Sequence, residues 1–233
     1  GQCNQAEWPE DFGDLSKAWS IDLGDSYSGP VVAGGKVFTT ETVDRREETL
    51  TALDLENGRV LWKQRWPGAM SVPFFAKSNG DWIRSTPATD GSCIVVCGMR
   101  DVLASFQCET GQENWRLDCG SRFGVPLPAF GLVCSPLIDG DDLYVQAGGG
   151  IRKLRLSDGE PQWLAAADSG GMSGGSFSSP IIATLHGKRQ LVAQTREALV
   201  GVDLQAGQPL WKHEVASFRG MNILTPTVWN DCV

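Results

Sequence analysis

Apolar and polar residues alternate along this chain in short runs, and each run ends at a turn. In the stretch 50–64, "LTALDLENGRVLWKQ", a period-two run leads to Asp54, Asn57-Gly58 turns the chain, and a second run carries Trp62. Strict alternation over a few residues indicates a strand with two unlike faces, and no 3.6-residue period persists. The pattern returns as "SFQCETGQENW", "KLRLSDGEPQW" and "GVDLQAGQPLW". In all four a Gly precedes the Trp by four positions: Gly58 and Trp62, Gly111 and Trp115, Gly159 and Trp163, Gly207 and Trp211. Upstream of each unit a Pro opens an apolar run, at Pro30, Pro87, Pro136 and Pro180, and a fifth run opens at Pro226. The four Trp residues are spaced 53, 48 and 48 positions apart.

Each unit reads as four short strands. In the fourth they fall at about 178–184, 189–195, 198–204 and 209–215. Pro is tolerated where a strand opens, because no ladder donor is needed there. The Gly in the last turn takes positive φ without a Cβ clash. Tandem four-stranded units of this length predict an all-β chain of the propeller type, whose blades must stack to bury their faces. The expected organisation is one partial propeller: a lead-in over 1–16, a ring-closing strand at 17–23, blades at 28–66, 84–119, 133–166 and 178–215, and the start of another at 223–233. A full ring of seven or eight blades would need roughly 350–400 residues at this period, so the chain reads as a little more than half of one.

The stretch Ala52, Asp54, Gly58 and Trp62 forms A-x-D-x-x-x-G-x-x-x-W and resembles the tryptophan-docking motif of quinoprotein-type (PQQ-like) β-propellers. That family holds pyrroloquinoline-quinone alcohol dehydrogenases and the non-enzymatic BamB-like group, and the chain is closest in character to the latter. Only Gly and Trp persist in all four units: the Asp position becomes Gln107 and Arg155 before returning as Asp203. The resemblance implies that each Trp ring lies against the Gly peptide of the adjacent blade. It also implies a non-catalytic scaffold that binds a protein or polymer in a bacterial cell envelope, in the periplasm or secreted. Its enzymatic branch implies the alternative, a fragment of a quinone-dependent oxidoreductase with Ca²⁺. A sensor domain of a larger regulatory protein fits the same repeats. No cofactor, catalytic residue or metal ligand is expected in this chain.

Composition narrows the classes. The chain has 233 residues, 28 of them Gly and 9 Trp, which suits many turns and a β-rich core. A net charge of −8 with no Lys/Arg run gives no basic face for nucleic acid. No run of about 18 apolar residues would span a membrane, and no targeting segment is visible. Seven cysteines include neither a C-x-x-C nor an adjacent pair, so buried free thiols are expected, with Cys93 and Cys97 on one strand face. Only His186 and His213 are present, far apart in the pattern. "GMSGG" around Ser173 has the spacing of a nucleophile elbow but precedes a strand rather than a helix. "DGDD" at 139–142 lacks EF-hand spacing, and "AGGG" ending at Gly150 lacks the Gly-Lys-Ser/Thr of a phosphate loop.

The most varied segments connect each Trp strand to the next Pro strand. Loops joining consecutive blades share one rim of a propeller. Phe74, Phe75, Trp82, Arg84, Arg122, Phe123, Phe130, Phe177, Phe218 and Arg219 lie in these segments and form the candidate interaction rim. Aromatic residues and Arg are the types enriched at protein-binding hot spots. Apolar faces at both ends of the fragment add the expectation of self-association through the terminal blades.

Overall fold

The computed structural model describes residues 11, 13 and 15–233; Cys3 and most of the expected lead-in over 1–16 lie outside the described residues. Four antiparallel sheets follow one another, each with four strands in chain order. The first holds Val31–Ala33 (β1), Lys36–Val43 (β2), Glu47–Asp54 (β3) and Val60–Pro67 (β4). The second holds Ala88–Thr89 (β5), Cys93–Gly98 (β6), Val102–Gln107 (β7) and Glu113–Asp118 (β8). The third holds Leu137–Asp139 (β9), Asp142–Gln146 (β10), Ile151–Arg155 (β11) and Pro161–Ala165 (β12). The fourth holds Ile181–Leu185 (β13), Lys188–Gln194 (β14), Ala198–Val202 (β15) and Pro209–Glu214 (β16).

The period-two alternation divides each blade between two cores. On β6, Cys93, Val95 and Cys97 pack with Leu143, Val145 and Leu154 of the third sheet. The intervening Ile94 and Val96 pack with Phe38, Leu50 and Ala52 of the first. A third core joins Tyr144 and Ile151 to Leu191, Ala193 and Val200 of the fourth sheet. A sheet buried on both faces is the property that makes stacking obligatory, and each fully buried Leu, Ile or Phe stabilises it by roughly 1.5–3 kcal/mol.

Two devices join neighbouring blades. At the outer edge Trp62, Trp115 and Trp163 each pack on the glycine of the next blade's last turn. Gly58, Gly111, Gly159 and Gly207 have φ between 68° and 73°. A Cβ on Gly111 would meet the Trp62 ring at 2.7 Å, and the same holds for Gly159 with Trp115 and Gly207 with Trp163. Each ring also donates its Nε1–H to a carbonyl three residues before that glycine: Trp62 to Cys108 at 3.1 Å, Trp115 to Leu156 at 2.8 Å, Trp163 to Leu204 at 3.2 Å. At the inner strands a hydroxyl ladder runs from blade to blade. The Gly29 amide donates to Thr86 Oγ1 at 2.9 Å, Thr86 to Ser135 Oγ at 3.0 Å, and Ser135 to Ser179 Oγ at 2.9 Å. These residues immediately precede the strand-opening prolines, which bias them toward extended backbone. The ladder also explains why the fourth blade's first strand begins at Ile181 rather than near 178: Ser178 and Ser179 bond to neighbouring segments instead of to their own sheet.

Three features depart from regular blade geometry. Trp115 is buried, but Trp62 and Trp163 are only partly so. The segment 17–23 forms no ladder; it is held by Trp19, which packs on Gly58 and donates to Leu55 O at 2.9 Å. Within 223–233 only an isolated bridge pairs Trp229 with Cys232.

Candidate protein-binding rim

The rim is assembled at the ends of the outer strands. Strand β4 leaves the Gly58 turn, and its far end passes into the connection that carries a 3₁₀ turn, Phe74–Asn79. After β8 a five-residue helix, Cys119–Phe123 (α1), is capped by the Asp118 side chain, which accepts from Ser121 N at 2.9 Å. After β16 comes a 3₁₀ turn at Phe218–Gly220. All four inter-blade connections meet the β6–β7 turn in one apolar cluster: Val72 and Ala76 from the first, Phe130 from the second, Phe177 from the third and Met221 from the fourth, around the buried Met99.

The aromatic rings of this cluster touch in series. Phe74 and Phe75 are edge-on at 5.5 Å between centroids, Phe75 and Phe130 at 6.2 Å, Phe130 and Phe177 at 5.7 Å. Such T-shaped pairs are worth about 0.5–1.5 kcal/mol beyond burial. The series closes with the Arg196 guanidinium 5.3 Å from the Phe177 ring, and Met221 packs alongside. Phe130 is buried, whereas Phe74 is 84% exposed and Phe75 47%. A buried foot thus holds an exposed aromatic head.

The remaining candidates sit apart from this series. Trp82 lies tilted against Tyr27 at 5.6 Å between centroids, and Arg84 lies 5.5 Å over the Tyr27 ring while donating to Gly80 O at 2.6 Å. Phe123 lies 3.4 Å beneath the Arg152 guanidinium and fills the junction of the second and third blades. Arg122 pairs with Glu160 at 3.3 Å. Phe218, 77% exposed, carries Arg219 over its own ring, and Arg219 O accepts from Arg196 at 2.8 Å, which ties this pair to Phe177.

Two buried carboxylates that motif reasoning passed over support the rim from below. Glu48 accepts from the Trp66 indole at 2.7 Å and from the Met99 amide at 2.8 Å. Asp101 accepts from the Gly148 amide at 3.0 Å. Each stands 14 residues before its blade's docking Trp, and each bonds the turn of the following blade. Burial raises both: Glu48 to about 7, and Asp101 to about 6 against the lowering effect of the Gly148 bond. Aligning the repeats on Trp would have exposed this position, which the Gly and Trp landmarks overshadowed.

Five described cysteines are buried free thiols with raised pKa, and Cys232 is exposed. A quinone–Ca²⁺ centre needs converging carboxylates. Among the described residues no three His, Cys, Asp or Glu side chains converge on a metal position, so they do not by themselves fit the metal half of such a centre. No helix among them is long and apolar enough to cross a membrane.

Repeated blades, docked tryptophans and shared cores agree with the comparisons with known proteins. A family model described as outer membrane protein assembly factor BamB matches residues 13–78 and 46–233. The chain belongs to this PQQ-like β-propeller family. Outer membrane protein assembly factor BamB of Yersinia pestis is 22% identical over 212 residues, 88% of this chain and 49% of that protein. Serine/threonine-protein kinase AfsK of Streptomyces griseus is 28% identical over 159 residues, 66% of this chain and 18% of that protein. Among solved structures, BamB from Moraxella catarrhalis superposes with a TM-score of 0.58 at 15% identity, over 84% of this chain and 51% of that one. Quinohemoprotein alcohol dehydrogenase from Comamonas testosteroni superposes at 0.54 and 13% identity, over 82% of this chain and 35% of that one. Both structures share the fold, and the chain spans about half the length of the BamB proteins it matches.

Proposed function

We propose that this BamB-like chain is a non-catalytic propeller scaffold that binds a protein partner through its inter-blade rim, in a bacterial cell envelope. The observation that carries the reading is the exposed Phe74–Phe75 pair, continuous with buried Phe130 and flanked by Arg196. Exposed aromatic rings anchored in a packed cluster present large rigid area at low entropic cost, the character of a hot spot. The family's name, an assembly factor of outer membrane proteins, supports both a protein partner and the envelope. The chain acts without quinone in this reading. Trp211, which meets no glycine turn among the described residues, donates instead to Gln190 at 2.6 Å beside a cleft of about 720 Å³ lined by Leu185, Leu199 and Leu210. This open blade face supports self-association.

Replacing Phe74 and Phe75 together by Ala tests the rim. Envelope proteins that co-purify with the parent should be depleted at least tenfold from the double variant and retained by Glu56→Ala at the opposite end of the blade. Equal recovery from all three would overturn the reading.

A further inference from the structure

Charge is divided between the two ends of the blades. Antiparallel order places the β2–β3 and β6–β7 turns at the end that carries the inter-blade connections, and the β1–β2 and β3–β4 turns at the other. At that other end Asp54, Glu56, Asp90 and Asp141 lie in the turns, and cations are already held: Lys36 by Glu109 at 2.6 Å, Arg155 by Asp158 at 2.7 Å, Lys188 by Asp203 at 3.1 Å. The rim end is the reverse. Its acids are largely engaged: Glu48 and Asp101 by turn amides of the next blade, Asp118 by the Ser121 amide, Glu47 by Arg65 at 3.8 Å. Four of its cations are not. Arg45, Arg46, Lys77 and Arg100 are exposed, and among the described residues none of these side chains makes an ion pair or a hydrogen bond.

These four are tied to the segments that build the exposed aromatic head. Lys77 shares the 3₁₀ turn Phe74–Asn79 with Phe74 and Phe75. Arg46 O accepts from the Gly68 and Ala69 amides at 3.3 Å, which holds the β2–β3 turn against the start of the same connection. Arg100 follows Met99, the residue on which Phe130 and the rest of the cluster rest. Two acids stand against them: Asp44, exposed beside Arg45, and Asp81, half-buried and set against Arg84. Glu197 and Glu214 are exposed on the fourth blade, so the positive excess belongs to the first two. In a chain of net charge −8, like charges gathered at one place repel one another, and an anionic partner relieves that repulsion.

We propose that the first two blades of the rim take an acidic peptide segment of the partner. Its apolar side chains lie on Phe74 and Phe75, and its carboxylates meet Lys77, Arg100, Arg45 and Arg46. This rests on the rim reading above and adds the chemistry of the occupant. The acidic opposite end of the blades repels the same segment, so charge decides which end is approached. Each exposed pair adds little and is screened by salt, so the preference comes from several acting together.

Fluorescence anisotropy of the full chain tests this, with labelled peptides that repeat Asp-Phe-Glu-Leu, Asn-Phe-Gln-Leu or Lys-Phe-Lys-Leu. The three share apolar residues and differ in charge. The acidic peptide is expected to bind about tenfold tighter than the neutral one and the basic peptide weakest, with the preference shrinking as added salt shortens the Debye length. Lys77→Glu and Arg100→Glu should each weaken the acidic peptide about threefold or more and leave the neutral one unchanged. Arg59→Glu, an exposed change of the same charge at the opposite end, should alter neither. Equal affinity for the acidic and neutral peptides, or an equal loss in Arg59→Glu and Arg100→Glu, overturns the proposal. The rim reading itself still stands in that case if replacing Phe74 and Phe75 by Ala weakens the neutral peptide. No binding of the acidic peptide, or binding only to phosphatidylglycerol vesicles, also overturns the proposal.

Discussion

Replacing Gly159 by Ala tests whether tryptophan docking holds the blades together. Gly159 has φ 72°, and an added Cβ would stand 2.7 Å from Trp115 Cε3, where ordinary contact begins at 3.4 Å. Left-handed backbone costs an L-residue about 1–2 kcal/mol. Moving the buried ring aside costs about 1–3 kcal/mol more, the range for overpacking a core. Gly159→Ala should therefore lose about 2–5 kcal/mol, and Trp115→Ala about 3–5 kcal/mol by cavity formation. In the double variant the clash is gone, and only the backbone cost of the Gly159→Ala change remains beside the cavity. The pair should then fall short of additivity by about 1–3 kcal/mol. Gly187→Ala is the control, since its φ is 76° but no atom lies within 4 Å of an added Cβ. Urea unfolding midpoints of the parent, the two single variants and the double variant measure the cycle. Coupling below about 0.5 kcal/mol would show that ring and glycine act independently, and the docking account would fail.

Other outcomes follow from the same contacts. Because burial raises Glu48 from 4.5 to about 7, the folded chain binds more protons than the unfolded one across that interval, and stability falls as pH rises through it. The loss approaches about 3 kcal/mol, and Glu48→Gln should flatten this part of a melting-temperature profile between pH 5 and 8; an unchanged profile would contradict it. Phe74→Ala should leave the urea midpoint unchanged, since the side chain is 84% exposed, whereas Phe130→Ala should cost about 3–5 kcal/mol. Adding pyrroloquinoline quinone and Ca²⁺ to the purified chain should give no stoichiometric complex and no alcohol-dependent dye reduction. Light scattering should show a species larger than 25.2 kDa that Trp211→Glu shifts toward the monomer, and a monodisperse parent monomer would refute self-association.

Much of this architecture was legible because it depends on backbone chemistry that few residues satisfy. Gly58, Gly111, Gly159 and Gly207 need positive φ beneath an indole, so the positions recur where others drift. The four strands per unit were legible from alternation, which the structure resolves into faces belonging to two different cores. The hydroxyls of Thr86, Ser135 and Ser179 were overlooked because a Ser/Thr-Pro pair reads as a strand opening, and its bond partner lies over 40 residues away. Glu48 and Asp101 were equally silent, since an acidic residue in or beside a turn ordinarily faces solvent, yet both are fully buried here. Of the candidate rim, Phe74, Phe75, Phe130 and Phe177 converge because their connections all end over Met99. Phe123 does not join them, because α1 turns its ring beneath Arg152.

The central claim is that the exposed end of the aromatic series meets a protein partner. Site-specific photocrosslinking tests it most directly, with a benzophenone amino acid placed at Phe74 and, for comparison, at Glu56 on the far side of the same blade. Irradiation of producing cells should yield a discrete adduct of defined mass from position 74 and none from position 56. Absence of an adduct at 74, or the same adduct from both positions, would contradict the account.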